Sequence, residues 1–283
     1  MVDIVTILED TDIHYGDDNR ALVEMQGGGA AANVTAWLAV AGHRPTLYCA
    51  VGDDVIGHAL VEDLERCGAI VRATRTEQPT GAVVALVHPN GERTMFPSAT
   101  ANFGLPATVL DAALLPHDHL HVSGYLLLRE HTRAAALQYV STARAVGASV
   151  SIDPASARLI EVMGASAALG TMRGADLLIA NELEAMALTG TQTHEEAARR
   201  LADDFPTAIV KLGSHGACVW SEGELITVPA IPSDVVDTVG AGDAFAAGAI
   251  PAWKHGEPLQ TVLEAGNAYG HLAVEQRGAR PRR

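Results

Sequence analysis

Hydrophobic positions along this chain fall into two kinds of run, short stretches of strand length and longer stretches with helical spacing, and these alternate from one end to the other. Val2 to Leu8 is an apolar run around Asp3, too short for a helix and closed by Glu9-Asp10-Thr11-Asp12, so it predicts a strand. A second predicted strand, about Ala21 to Gln26, runs through Gly27-Gly28-Gly29 into the helical Ala30 to Leu38. Val51 to Gly57 leads into an amphipathic helix ending near Cys67-Gly68, with Asp53 or Asp54 as its N-cap. The turn signal His88-Pro89-Asn90-Gly91 predicts Gly81–Val87 and Glu92–Phe96 as paired strands. Beyond it the pattern predicts helix 131–146, strand 148–153, helix 156–171, strand 176–180, helices 182–189 and 194–203, strand 207–212, a helix from about Gly242, and a last helix from Pro258 to Gln276. Pro251 is expected to kink the helix that contains it. Strands alternating with helices imply an α/β fold with a doubly wound, mostly parallel sheet flanked by helices.

Composition narrows the picture. At 283 residues and 48% hydrophobic content the chain can bury a sizeable core. Acids outnumber bases 34 to 19, which argues against a nucleic-acid surface, since phosphate backbones are met by clustered Lys and Arg. Cys49, Cys67 and Cys218 are too few and too scattered for a disulfide framework or a zinc knuckle. No apolar run approaches the ~20 residues of a membrane helix and no charged-then-apolar leader opens the chain, so the expected compartment is the cytoplasm.

Candidate chemistry centres on Asp237-Thr-Val-Gly-Ala-Gly-Asp243. Gly240, Ala241 and Gly242 precede an alanine-rich helical run, so the first amides of a helix are open to a closely approaching anion. Asp243 at that point either accepts a proton from an attacking hydroxyl or is an ordinary acid of a first helical turn. Asn181 and Glu184, three residues apart after a strand, could hold hydrated magnesium or simply cap their helix. Lys211-Leu-Gly213-Ser214-His-Gly216 could wrap a nucleotide phosphate or ribose, or form a plain turn. His117, His119 and His121 share one face at strand spacing, as in a metal site or as the outer face of a core strand. Glu130 lies near a strand's carboxyl end, where α/β sheets bind ligands, and is a substrate-site candidate.

Asp-Thr-x-Gly-Ala-Gly-Asp, followed back through Asn181-x-x-Glu184, the 211–216 loop and Gly28-Gly29-x-x-x-Asn33, resembles the motif set of the ribokinase-like (PfkB) carbohydrate kinases. The resemblance implies one kinase domain over 1–283 with a β lid from about 11–27 and 81–97, and ATP-dependent, magnesium-dependent phosphorylation of a primary hydroxyl on a sugar or polyol. It implies Asp243 as catalytic base, the amides of Gly240, Ala241 and Gly242 as the anion hole, and Asn181 and Glu184 as organisers of magnesium and phosphate. Asp3, 25 residues before Gly28, matches the family's hydroxyl-binding Asp, with Gly28, Gly29 and Asn33 as further substrate contacts. Lys211, at a position often Thr, joins Gly213, Ser214 and Gly216 on the nucleotide, and Asn267 borders the adenine. Asn102 either faces the sugar or forms a turn. The family's usual Gly-Asp pair before the position of Asp3 is missing, implying a shortened sheet or a start that is not native. A nucleoside kinase of the same fold and a non-catalytic nucleotide or sugar sensor remain alternatives, the former disfavoured by 4% aromatic content.

Two further expectations follow from the resemblance. Exposed lid edges are expected to pair two chains into a homodimer. Many family members bind potassium beside the anion hole, and the matching positions are Asp237, Val239, Ala273, Gln276, Gly278 and Arg282. A guanidinium within ~4 Å of the ion would oppose it by about 4 kcal/mol at an effective dielectric near 20. Arg282 therefore either takes the ion's place by pairing with Asp237, giving activity indifferent to potassium, or is solvated and leaves the site intact.

Overall fold

The computed structural model describes residues 1–10, 12–89, 93–110 and 114–282, and for Arg93 its backbone alone. Thr11 of the expected lid, and Asn90, Gly91 and Glu92 of the expected hairpin turn, lie outside the described residues. The chain divides into two compact units, Met1–Leu105 and Pro106–Arg283.

In the first unit, β1 (Val2–Leu8) pairs antiparallel with β2 (Ala21–Gly27), and a three-glycine turn starts α1 (Ala30–Val40). β3 (Thr46–Gly52) leads into α2 (Val55–Arg66) and then into β4 (Ile70–Thr76), which lies parallel to β3. Asp54 is the N-cap: Oδ1 accepts from Gly57 N at 2.7 Å, and Oδ2 accepts from Thr80 N at 2.7 Å. Ala36 and Ala39 of α1, Leu47 of β3, Leu64 of α2, and Ala69 and Val71 bury one apolar cluster. β5 (Ala82–Val87) runs parallel to β1 and antiparallel to β6 (Arg93–Ser98), completing the sheet β2-β1-β5-β6.

The second unit is built on six strands in the order β12-β11-β10-β9-β8-β7. β7 (His119–Ser123), β8 (Ser149–Asp153), β9 (Leu177–Asn181) and β10 (Thr207–Lys211) are parallel; β11 (Ala217–Ser221) and β12 (Glu224–Val228) turn back antiparallel. Ile152, Leu177, Leu178, Ile179 and Ile209 are fully buried, as expected for strands covered on both faces. The crossovers are α3 (Gly124–Leu128) and α4 (Glu130–Val146), then α5 (Ala157–Met163) and α6 (Ala165–Met172), then α7 (Glu182–Thr189) and α8 (His194–Leu201). α9 (Ala241–Lys254) and α10 (Leu259–Val274) pack against each other after the sheet.

Several boundaries depart from the sequence pattern. The single helix expected over 156–171 is two, because Gly164 at φ 87° is both the end of one and the start of the next. β11 and β12 were not predicted; a two-residue turn with both φ values positive, Glu222 at 53° and Gly223 at 87°, joins them. α9 continues through Pro251 to Lys254. No helix among the described residues is long and apolar enough to cross a membrane.

Candidate active site

The turn 237–243 is fixed from both sides. Asp237 Oδ1 accepts from Val239 N and Oδ2 from Gly278 N, each at 3.0 Å. Gly240, at φ 77°, is the N-cap of α9, and a Cβ there would stand 2.5 Å from Ala279 Cα, so only glycine fits. Ala244 N donates to Gly240 O at 2.8 Å, so the intrahelical ladder begins there and the amides of Gly242 and Asp243 precede it. Asp243 is half-buried in this first turn, at the positive end of the helix dipole.

The ends of three neighbouring parallel strands face this turn. Asn181 ends β9 beside Lys211 at the end of β10, and Asp153 ends β8. Lys211 Nζ donates to Asp153 Oδ2 at 2.5 Å, and a Cβ on Gly242 would stand 3.2 Å from that ammonium. Both expectations for Asn181 and Glu184 bear on the same contacts: Asn181 Oδ1 accepts from Glu184 N at 2.9 Å and Glu184 Oε2 from Asn181 N at 2.8 Å, a reciprocal capping box. Glu184 is only 4% exposed, and burial, with the charge of Asp153, pushes its carboxyl well above the usual range. Tyr125, in α3, lies under the Arg129 guanidinium at 5.7 Å; burial raises its pKa, the Arg129 charge opposes this, and Glu184, Asp153 and Asp243 add to the rise.

His119 and His121 face serines of the next strand. His119 hydrogen-bonds Ser149 Oγ at 2.8 Å and Ser151 Oγ at 2.7 Å, and His121 bonds Ser151 Oγ at 2.9 Å. His117 is exposed and precedes the strand, so the three imidazoles do not share a face. Among the described residues no group of His, Cys, Asp or Glu has the arrangement of a metal site. Glu130 is exposed in the first turn of α4 and joins none of these contacts.

The 211–216 loop closes with Leu212 N on Gly216 O at 2.7 Å, leaving Gly213 and Ser214 exposed. Gly216 is buried against the chain at 228–230. Asn267 Nδ2 donates to Val228 O at 3.2 Å and Pro229 O at 3.0 Å, which ties α10 to the end of β12. Of the two expectations for Arg282, the structure has the exposed side chain: it is the backbone N that is held, by Gln276 Oε1 at 3.0 Å, while Gln276 Nε2 donates to Arg280 O at 3.1 Å. The Asp237 carboxylate meets backbone N–H groups instead.

In the first unit the 25-residue spacing between Asp3 and Gly28 becomes a contact. β1 and β2 pair Asp3 with Gln26, and a Cβ on Gly28 would stand 2.2 Å from either Asp3 carboxylate oxygen. Gly29 is the N-cap of α1, and Asn33, one turn in, is buried at 5% exposure with its N on Gly29 O at 2.9 Å. Asn102 sits in a 3-10 turn with its Oδ1 2.4 Å from where a Cβ on Gly81 would be. The sequence reading missed Asp153; the available signal was its position at the carboxyl end of β8, the edge where parallel sheets bind ligands.

A parallel-sheet α/β fold with a glycine-cradled helix start, an acid on its first turn and a buried strand-end ammonium is that of a phosphoryl-transfer enzyme. The chain belongs to the pfkB family carbohydrate kinases, whose model matches residues 5–282. It is 34% identical over 271 residues to an ATP-dependent ribose-1-phosphate kinase from Halopiger xanaduensis, covering 93% of this chain and 86% of that one. It is 30% identical to a 2-dehydro-3-deoxygluconokinase from Bacillus subtilis, covering 98% and 91%. Among solved structures, adenosine kinase from Sinorhizobium meliloti superposes with a TM-score of 0.87 at 26% identity, covering 99% of this chain and 93% of that one. The fold is thus ribokinase-like, and the enzyme is an ATP-dependent sugar kinase, a phosphotransferase with an alcohol group as acceptor.

Proposed function

We propose that this kinase transfers the γ-phosphoryl group of ATP to a primary hydroxyl of a sugar or related polyol, with Asp243 as the base. The observation that carries the reading is the Gly240–Asp243 turn, where amides open to an anion and a carboxylate occupy the same first turn of α9. Asp243 takes the proton of the attacking hydroxyl, and the amides of Gly242 and Asp243, at the start of α9, stabilise charge developing on the transferred group. Asp3, Gly28, Gly29 and Asn33 hold acceptor hydroxyls, supported by the seating of the Asp3 carboxylate over Gly28; Glu130 is an outlying candidate. Gly213, Ser214, Gly216 and Asn267 serve the nucleotide, with Lys211 on its phosphates.

Asn181 and Glu184 suit a hydrated magnesium ion, since both offer hard oxygen donors and the capping box fixes the Glu184 rotamer. Magnesium bound there would neutralise phosphate charge. The exposure of Arg282 removes the argument against potassium, so a monovalent cation at Asp237 is part of the reading. We further propose one kinase domain over 1–283, acting in the cytoplasm, with a lid formed by 11–27 and 81–97. The apolar side chains Leu22, Val23 and Met25 of β2, and Met95 and Phe96 of β6, are each more than half exposed, which supports a homodimer through the lid.

The likeness to an adenosine kinase keeps a nucleoside acceptor as the second reading. An ATP-consumption screen over ribose, ribose-1-phosphate, fructose, 2-dehydro-3-deoxygluconate, inositol and adenosine separates the two. Asp243→Asn in the same assay is expected to lose roughly 10²–10⁴ in kcat with acceptor and nucleotide affinities kept. Retention of more than about a tenth of wild-type kcat would remove Asp243 from the role of base.

A further inference from the structure

Lys211 carries a charge that folding by itself does not explain. Its side chain is 12% exposed, and that of its partner Asp153 13%. Buried pairs of this kind seldom stabilise a protein relative to apolar side chains of similar volume, because desolvation offsets their attraction. The location adds a second cost. The ammonium borders Gly242 in the first turn of α9, the positive end of that helix dipole. Lys211 Nζ donates to the Asp153 carboxylate at 2.5 Å, the pairing of an ammonium with a carboxylate. The choice of side chain also carries information: the sequence has 17 arginines and only two lysines, and a compact point charge stands where a planar fork would be. The Asp153 carboxylate therefore holds a cation beside Gly242, whose amide precedes the hydrogen-bond ladder of α9. An anion seated on the Gly242 amide would have that ammonium beside it.

We propose that Lys211 is a catalytic residue whose ammonium contacts the transferred phosphoryl group itself rather than only the nucleotide loop, an inference that rests on the kinase reading above. In the transfer the acceptor oxygen forms a bond to the γ-phosphorus as the bond from that phosphorus to the β,γ-bridging oxygen breaks. The electron pair of the broken bond stays on ADP, and the hydroxyl proton goes to Asp243. Lys211 keeps its protons throughout and offsets the charge spread over the moving group's equatorial oxygens. Asp153 holds the ammonium in place and is a positioning residue.

The test compares ADP with the non-hydrolysable AMP-PNP, both with magnesium, by calorimetry on the full chain. Lys211→Met is expected to weaken AMP-PNP by about tenfold or more while ADP changes little, because only AMP-PNP carries the γ-phosphoryl that a charge-assisted bond would lose. It is expected to lower kcat by about 10²–10³ with the acceptor KM unchanged. Lys211→Met leaves a buried carboxylate without its cation, so Asp153→Asn with Lys211→Met, a neutral pair, repeats the measurement in a chain checked for a wild-type melting transition. An equal loss for both nucleotides assigns Lys211 to the nucleotide loop and overturns the proposal. Unchanged binding of both makes it a structural ion pair, which also overturns it. Failure of the kinase reading looks different: the wild-type chain then binds neither nucleotide and consumes no ATP with any acceptor.

Discussion

Acid should destabilise this protein through His119 and His121, and the effect can be sized. Burial pushes His119 down to about 3, helped by the charges of His121 and Lys254; burial pushes His121 down to about 4, with Asp153 opposing and Lys211 assisting. In the unfolded chain both titrate near 6.5. The folded state therefore binds fewer protons than the unfolded state between those values, and stability falls as pH drops below 6.5. The loss levels off only below about 4 and about 3. At pH 5.5 the unfolded chain sits one pH unit below its imidazole pKa, worth about 1.4 kcal/mol per histidine, so the two together cost about 3 kcal/mol relative to pH 7.5. Glu184 acts in the opposite sense, because its raised carboxyl takes a proton in the folded state before the unfolded one does. The wild-type pH profile is thus a difference of two effects, and the clean measurement is the comparison with His119→Gln/His121→Gln. That variant should be less stable at pH 7.5, having lost hydrogen bonds to Ser149 and Ser151 worth about 1 kcal/mol each. Between pH 7.5 and 5.5 it should lose about 3 kcal/mol less than wild type in urea titrations followed by far-ultraviolet dichroism. Equal losses in the two proteins would show that these imidazoles titrate normally and refute the reasoning.

Gly28→Ala places a methyl group against the Asp3 carboxylate, so acceptor KM should rise about tenfold or more with ADP affinity unchanged; parallel changes in both would mean a folding defect rather than a damaged acceptor site. With the Arg282 side chain exposed, exchanging tetramethylammonium for potassium at fixed ionic strength should raise the initial rate several-fold, and a flat response would mean that Asp237 serves no cation. Light scattering at high micromolar concentration should report a dimer that Phe96→Glu converts to monomer; a monomeric wild type with full activity would remove the lid-to-lid pairing.

What could be read from the sequence was local. Gly28-Gly29 before α1, Asn181-x-x-Glu184 and Gly240 to Asp243 are helix starts, where a cap or turn is specified by residues within one turn of each other. β1 was bounded correctly because a short apolar run between polar clusters has few other solutions. The remainder depended on pairings between distant segments. Lys211 and Asp153 are 58 residues apart, and nothing in either segment announces the other until the order β8-β9-β10 brings the strand ends together. Asn267 reads by spacing as a ligand contact, and the spacing does not disclose that its Nδ2 also donates to two carbonyls 38 and 39 residues earlier. Arg282 stayed open between two readings for a related reason: its charge was visible, but the Gln276 carboxamide that holds the backbone on that side was not.

The capping box seen for Asn181 and Glu184 and the cation-holding role proposed for them fit a single arrangement. Parallel strands deliver their carboxyl ends to one edge, so Asp153, Asn181 and Lys211 must gather there, and each following helix presents its first turn to the same edge. Such crowding of charge would be costly if the side chains were free to splay toward water. The capping box prevents that for Glu184 by committing one carboxylate oxygen to Asn181 N, and the Lys211 pair prevents it for Asp153. A cap that would be worth about 1 kcal/mol on an exposed helix thereby acts as a positioning device in a low-dielectric site. Preorganised charge of this kind need not reorient while phosphoryl charge develops, and that supplies a physical reason for keeping a buried cluster whose contribution to stability alone would be small.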